Sequence, residues 1–324
     1  MTPDDRALLE EPAARKTWEL LAKRFSDQPL TPDTSPQLDL GIDSLEWLSL
    51  TTEIRSHVGI ELSEEAITRI ETVRDLLREV AEHPEATKAG PVADPLEEPE
   101  KVLGEDRKWW LAPLGPMERT IAWCLWALDW VLVHAAFKLS VNGRWRLPEK
   151  GPFVLSRNHV SYLDSFVLAA VLDYKLLEGT YWAGWTGVAF GPVFRLLRRL
   201  CHVVPIDPDK AAASSLAFGA AVLREKHNMV WYPECGHSKT GELGPLKQGS
   251  GMLLHRYRVP VVPVSIKGTR DALPPDRWIP RPGSHIQIIF GDPLDPEELE
   301  RQGDGEEPSK RITSALRDAM LQVK

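Results

Sequence analysis

From Pro152 to Phe290 the chain alternates short strand-like runs with longer helix-like ones, and this alternation constrains the fold more than any other feature. Strand-length runs fall at Pro152–Ser156, Thr180–Trp185, His202–Ile206, Met229–Tyr232, Val259–Ile266 and His285–Phe290. Helical runs fall at Ser165–Asp173, Ala211–Lys226 and, further on, Pro308–Val323. Strands separated by helices predict an α/β domain whose mixed central sheet is covered by helices. Such folds place chemistry in loops at the carboxyl ends of strands.

One loop stands out. The run Phe153-Val154-Leu155 enters Asn158-His159-Val160-Ser161-Tyr162-Leu163-Asp164, and the apolar run Phe166–Leu172 leaves it. An imidazole removes a proton from an attacking hydroxyl near neutral pH, and a carboxylate on its other ring nitrogen orients it. His159 and Asp164 are the candidate base and orienter, with Asn158 beside them. Downstream, Trp231-Tyr232-Pro233-Glu234-Cys235-Gly236-His237-Ser238 closes a strand. A Gly-rich loop, Gly241–Gly249, follows with the single cation Lys247, and then the apolar run Val259–Val264. The histidines have no metal-ligand spacing, and no Gly-x-Gly-x-x-Gly is present.

The rest of the chain divides by texture and charge. Residues 1–85 read as a helical module, 86–106 as a flexible acidic linker rich in Pro, Gly and Glu, and 107–324 as the α/β domain. Residues 1–106 carry 25 acidic and 11 basic side chains, against 22 and 28 in residues 107–324. The acidic half disfavours nucleic acid and anionic lipid; the basic half favours anionic partners. Three scattered cysteines, Cys124, Cys201 and Cys235, suit a reducing compartment. The acidic start Met1-Thr2-Pro3-Asp4-Asp5 is unlike a cleavable signal. These features predict a cytoplasmic location.

Before the first strand run, a helix is expected at about 117–139. Its apolar stretch Ile121–Phe137 contains Trp123, Trp126 and Trp130 and is shorter than the ~20 residues that span a bilayer. Asp129 and His134 are costly at a bilayer centre, and Trp favours the lipid boundary. The stretch reads as a helix lying in the membrane interface or as a buried core helix.

In the first module, Leu40-Gly41-Ile42-Asp43-Ser44-Leu45 precedes an amphipathic helix, Gly59-Ile60-Glu61-Leu62 approaches another, and Thr72-Val73-Arg74-Asp75-Leu76 opens a last one. These three features resemble an acyl or peptidyl carrier protein domain. The resemblance implies an all-α four-helix carrier whose serine, here Ser44, bears covalent 4′-phosphopantetheine attached by a phosphopantetheinyl transferase.

The Asn158-His159-x4-Asp164 loop, the Pro233–Ser238 block, the Leu246-Lys247-Gln248-Gly249 segment and the Val-Pro-rich strand resemble, in that order, the glycerolipid acyltransferase family, which includes 1-acylglycerol-3-phosphate acyltransferases. The resemblance implies catalysis by His159 and Asp164, with Asn158, Glu234, Gly236, His237, Ser238 and Lys247 binding substrate. It also implies an acyltransferase of phospholipid biosynthesis, peripheral on the inner face of the cytoplasmic membrane. The acyl chain would pass from a phosphopantetheine thioester, on the carrier or on acyl-CoA, to a lipid hydroxyl such as that of lysophosphatidic acid or glycerol phosphate. Two departures bear on the acceptor. Pro208 follows Val204-Pro205-Ile206-Asp207 where the family has an Arg, and His237 replaces another Arg. Both weaken phosphate binding unless Arg195, Arg198 and Arg199 substitute for them. A non-phosphate hydroxyl or amine acceptor, such as an amino lipid or a secondary metabolite, and a catalytically silent acyl-carrier-binding module are the alternatives.

Overall fold

The computed structural model describes residues 2–323 apart from 43, 61, 63, 83–92, 186–191, 207–211, 235–242, 275, 276 and 278. It forms two compact units, Met1–Asp94 with Asp207–Ala213, and Pro95–Ile206 with Ser214–Lys324.

The first unit is helical: α1 (Pro3–Leu8), α2 (Pro12–Arg24), α3 (Ser44–Val58), α4 (Glu64–Arg69) and α5 (Val73–Glu82). In α5, Val73, Leu76, Leu77 and Val80 are buried, the i, i+3, i+4, i+7 stripe of an amphipathic helix. Its start is a reciprocal cap, in which the Asp75 amide donates to Thr72 Oγ1 and the Thr72 amide to Asp75 Oδ2. Leu21, Leu50, Ile54 and Leu76 meet in the core. Arg74 ties α5 to α1 through the buried Asp5, at 2.6 Å. The described residues contain five helices where the sequence suggests four. The addition is the six-residue α1, closed by its own capping box between Thr2 and Asp5.

The second unit runs α6 (Pro99–Leu111), α7 (Pro116–Ala136), β1 (Lys138–Asn142), β2 (Val154–Arg157), α8 (Leu163–Val171), α9 (Tyr174–Glu178), β3 (Thr180–Trp185), α10 (Pro192–Leu200), β4 (Val203–Ile206), α11 (Ala212–Arg224), β5 (Asn228–Trp231), α12 (Gly249–Tyr257), β6 (Val261–Lys267), α13 (Thr269–Ala272), β7 (His285–Phe290), α14 (Pro296–Gln302) and α15 (Pro308–Gln322). The seven strands lie in the order β1-β7-β6-β2-β5-β3-β4. Every pairing is parallel except β6 with β7, so the sheet is mixed.

All six expected strands form, within two residues of their expected ends. The edge strand β1 is additional; its Lys-Leu-Ser-Val-Asn has little apolar signal because much of it stays exposed. Helix α6 occupies part of the expected linker. Its polar side chains pair at a distance in sequence, Glu100 with Arg224 at 2.9 Å and Arg107 with Glu225, and just before it the Leu96 carbonyl accepts from the Tyr257 hydroxyl. Composition cannot distinguish such committed charges from solvated ones.

Helix α7 buries only Ala122 and Val133, which overturns the core-helix alternative. Ile121, Trp123, Trp130 and Val131 are exposed, as are Val193 and Phe194 of α10. No helix among the described residues is long and apolar enough to cross a membrane.

Candidate active site

Three adjacent central strands, β6, β2 and β5, end on the same edge of the sheet because they are parallel. Their carboxyl ends deliver the site. β2 delivers Arg157 to Asp164, β5 delivers Tyr232 to Glu234, and β6 delivers Thr269.

The loop after β2 folds back because Asp164, in the first turn of α8, gathers its donors. Asp164 Oδ2 accepts the amides of Val160 and Ser161 at 2.8 and 2.9 Å. The same oxygen lies 3.1 Å from His159 Nδ1. Thr269 Oγ1 donates to Oδ1 at 2.6 Å, across 105 residues of sequence. Gly268 makes that reach possible. Its φ of 87° lies in the left-handed region, and a Cβ there would sit 2.2 Å from the His285 carbonyl oxygen.

Arg157 and Asp164 are both fully buried, with Arg157 Nη2 2.6 Å from Asp164 Oδ2. The contact is one of charge, since neither guanidinium Nη has hydrogen-bond geometry to a partner. Nε donates to the Asn158 carbonyl at 2.8 Å, and the guanidinium carbon lies 5.2 Å from the Tyr232 ring centre. Burial alone would raise the Asp164 carboxyl. The Arg157 charge and the hydrogen bonds from His159, Thr269 and the Ser161 amide outweigh it and hold the group well below the usual carboxylate range. An ionised Asp164 fixes the imidazole proton on Nδ1 and leaves the lone pair on Nε2, the tautomer that a general base requires. The His159 side chain is 18% exposed, so the base is within reach of a substrate.

Tyr232 packs its ring 4.5 Å from the His159 ring, and its hydroxyl is 2.6 Å from Ser165 Oγ. Glu234 bridges two loops: Oε1 receives the His159 amide at 3.3 Å and Oε2 the Gly244 amide at 2.7 Å. The Lys247 amide donates to the Pro233 carbonyl at 2.8 Å, which brings the two downstream motifs together.

The structure thus brings His159, Asp164, Glu234 and the Lys247 backbone together, and Asn158 contributes its carbonyl to Arg157. Gly236, His237, Ser238, Cys235 and Pro208 lie outside the described residues. Ser44 begins α3, and its side chain is likewise outside them. Two of the three nearby arginines are engaged elsewhere. Arg199 donates to Glu118 and to the Trp109 and Ala112 carbonyls, while Arg195 lies 4.4 Å from a Trp109 ring centre and pairs with Asp106. Both therefore already have partners within their own unit. Sequence reasoning missed Arg157, Thr269 and Tyr232 as parts of the site. Arg157 beside Asn158-His159 was the readable signal; the partnership of Thr269 is purely tertiary.

Among the described residues, no group of three His, Cys, Asp or Glu side chains is placed to hold a metal.

Comparison with known proteins gives the same two regions. Residues 138–267 match the family described as Acyltransferase, and residues 14–80 match the one described as Phosphopantetheine attachment site. Similar curated proteins include the chloroplastic 1-acyl-sn-glycerol-3-phosphate acyltransferase BAT2 of Brassica napus, 29% identical over 155 residues, which are 46% of this chain and 42% of that one. The human 1-acyl-sn-glycerol-3-phosphate acyltransferase alpha is 28% identical over 152 residues, 44% of this chain and 51% of that one. The match to the chloroplastic relatives BAT2 and LPAT1 spans about two fifths of their length. In fold, the chain is similar to the crystal structure of the acyltransferase PlsC from Thermotoga maritima, with a TM-score of 0.50 and 20% identity over 63% of this chain and 78% of that one. The chain thus joins a phosphopantetheine attachment domain, residues 14–80, to an acyltransferase domain, residues 138–267, whose similar proteins are named 1-acyl-sn-glycerol-3-phosphate acyltransferases.

Proposed function

We propose that this chain transfers a fatty acyl group from a phosphopantetheine thioester to a hydroxyl of a lipid acceptor such as lysophosphatidic acid or glycerol phosphate. The observation that carries this reading is the contact of His159 Nδ1 with a buried, ionised Asp164 at the edge of the sheet. His159 Nε2 takes the proton of the acceptor hydroxyl as its oxygen attacks the thioester carbonyl. The carbon–sulfur bond then breaks, and the thiolate leaves with the proton that His159 returns. Asp164 stabilises the transient imidazolium, and Arg157 balances the charge of Asp164 throughout.

The attachment domain fits a covalent arm at Ser44. Helix α3 begins at that residue, and a helix start suits a phosphodiester. Gly41, three residues earlier, has a φ of 67°, in the left-handed region that favours glycine. When attached by a phosphopantetheinyl transferase, 4′-phosphopantetheine supplies the thiol that bears the acyl chain. Delivery in cis from residue 44 is the reading; acyl-CoA as donor is its competitor. The exposed apolar faces of α7 and α10 support a peripheral position at a membrane surface, where the acceptor resides.

The test has two arms. Intact mass should show a phosphopantetheine adduct on the chain, absent in Ser44→Ala. The adduct-bearing, acyl-loaded protein should acylate lysophosphatidic acid in vesicles, and His159→Ala should lower the rate about 10²–10⁴-fold. Undiminished transfer by His159→Ala refutes the mechanism. A phosphate-free acceptor is the second reading, favoured by the engagement of Arg195 and Arg199 with groups of their own domain. Faster acylation of a neutral hydroxyl lipid than of lysophosphatidic acid would establish it.

A further inference from the structure

The sheet edge that holds the dyad also carries a cationic rim. Strand β6 ends there at Lys267. Because β7 runs antiparallel to β6 and parallel to β1, the starts of β7 and β1 lie on the same edge. Lys138 is opposite His285 in the β1–β7 pairing, and Lys267 is opposite Gln287 in the β6–β7 pairing. The connection from β6 to β7 is tied down at three points. The Leu273 carbonyl accepts from the Ser161 hydroxyl of the dyad's own loop at 3.1 Å. The Arg281 amide donates to the Ala272 carbonyl at 2.7 Å, and the Gly283 amide to the carbonyl of Ala136, the last residue of α7, at 2.6 Å. Lys138, Lys267, Arg277 and Arg281 are thereby gathered between the end of α7 and the catalytic loop.

All four side chains are exposed. None forms an ion pair among the described residues, whereas Arg144 and Arg146, beyond the other end of β1, pair with Asp173 and Asp292. Arg281 Nη1 reaches a backbone carbonyl, that of Asp271, at 3.5 Å. Residues 267–285 carry Lys267, Arg270, Arg277 and Arg281 against Asp271 and Asp276, in a chain whose net charge is −8. An acidic protein that keeps unpaired cations at one edge turns that edge towards anions.

Apolar surface adjoins the cations. Ile279 is 78% exposed between Arg277 and Arg281, and Leu128, Val131 and Leu132 in the last turns of α7 are each more than half exposed. Exposed aliphatic side chains bordered by Lys and Arg suit a bilayer interface, where the apolar groups enter the acyl region and the cations stay among the headgroups. A nucleic acid or an acidic protein would match the cations but not the aliphatic surface. A neutral bilayer would match the aliphatic surface but leave the cations without counter-charge. We propose that this edge docks on bilayers containing anionic lipid, with Lys138, Lys267, Arg277 and Arg281 supplying the preference for negative headgroups. Docking in this orientation turns the edge that bears His159 towards the headgroups, where a lipid acceptor presents its hydroxyl.

The inference rests on the peripheral-membrane reading and adds the charge of the surface that is bound. The full chain is co-sedimented with vesicles of phosphatidylcholine alone and with vesicles of equal parts phosphatidylcholine and phosphatidylglycerol. The wild type should bind the anionic vesicles about tenfold or more tightly, and the difference should shrink as salt is raised. Lys138→Gln, Lys267→Gln, Arg277→Gln and Arg281→Gln should each weaken that binding about fivefold. Combined, they should bring it down to the level seen on neutral vesicles, which stays at the wild-type value and so reports an intact fold. Arg6→Gln, Arg15→Gln, Lys16→Gln and Lys23→Gln together remove the same charge from the first unit and should leave the preference in place. Equal binding of the wild type to both vesicles overturns the proposal and leaves the peripheral reading standing, whereas binding to neither overturns both. A preference that survives the four rim substitutions, or that disappears equally in the first-unit variant, also overturns the proposal.

Discussion

Replacing Arg157 by Met tests the electrostatic logic of the site most directly. The pair Arg157–Asp164 has no exposure on either side, and its closest approach is 2.6 Å. Removing one member of a buried pair strands the other charge and costs about 3–5 kcal/mol. The lost Nε bond to the Asn158 carbonyl lies within that total. Arg24–Glu53, with side chains 24% and 41% exposed, is the internal control, and Arg24→Met should cost about 1 kcal/mol or less. The assay is hydrogen exchange under increasing urea, read on the α8 peptides for Arg157→Met and on the α2 peptides for Arg24→Met, which gives the opening energy of each unit apart from the other. The sign of the pH dependence follows from the depressed Asp164 carboxyl. Its ionised form stabilises the native state above the ordinary value of 3.8, and that contribution is lost as pH falls below it. The gap between wild type and Arg157→Met is therefore full at pH 7 and narrows in acid. In an Asp164→Asn background the same substitution should cost at least ~2 kcal/mol less, because the stranded charge there is the guanidinium itself. Additive losses, or a cost at pH 7 no larger than that of Arg24→Met, would refute this account.

Four further outcomes follow from the same geometry. Thr269→Val removes the hydroxyl bond to Asp164 Oδ1 and should destabilise the unit by about 1.5–3 kcal/mol in urea melts while lowering kcat. Gly268→Ala imposes a left-handed φ on alanine and a backbone clash at 2.2 Å, so it should be the more damaging of the two by calorimetry. Asp129→Asn should stabilise the protein at pH 8 relative to pH 5; the native carboxyl holds its proton up to about 7, so wild-type stability declines as pH rises through that value. Trp130→Glu combined with Phe194→Glu should reduce co-sedimentation with phospholipid vesicles, and unchanged binding would remove the peripheral-membrane reading.

What was legible in the chain was local. The period-2 and period-3.6 runs placed six strands and the longest helices, because those patterns arise from burial on one face. The Asn158–Asp164 loop was readable because its two reactive groups are five residues apart, and Asp164 turns the loop by collecting the amides between them. Helices α10 and α12 were not anticipated, since one is rich in arginine and the other contains Gly249 and Gly251, residues that lower helix propensity. Gly251 is there for packing: a Cβ would meet the Ser309 carbonyl of α15 at 2.1 Å.

The sequence by itself determined the kinds of element, the two-module organisation and the pairing of a base with a carboxylate. The tertiary structure alone decided how that carboxylate stays charged without water. Strand order brings the ends of β6, β2 and β5 together, so a guanidinium, a threonine hydroxyl and a tyrosine ring from distant parts of the chain surround Asp164 and His159. Burial strengthens each of those interactions and penalises any that is missing. No local pattern encodes that balance, because it depends on what else is buried beside it.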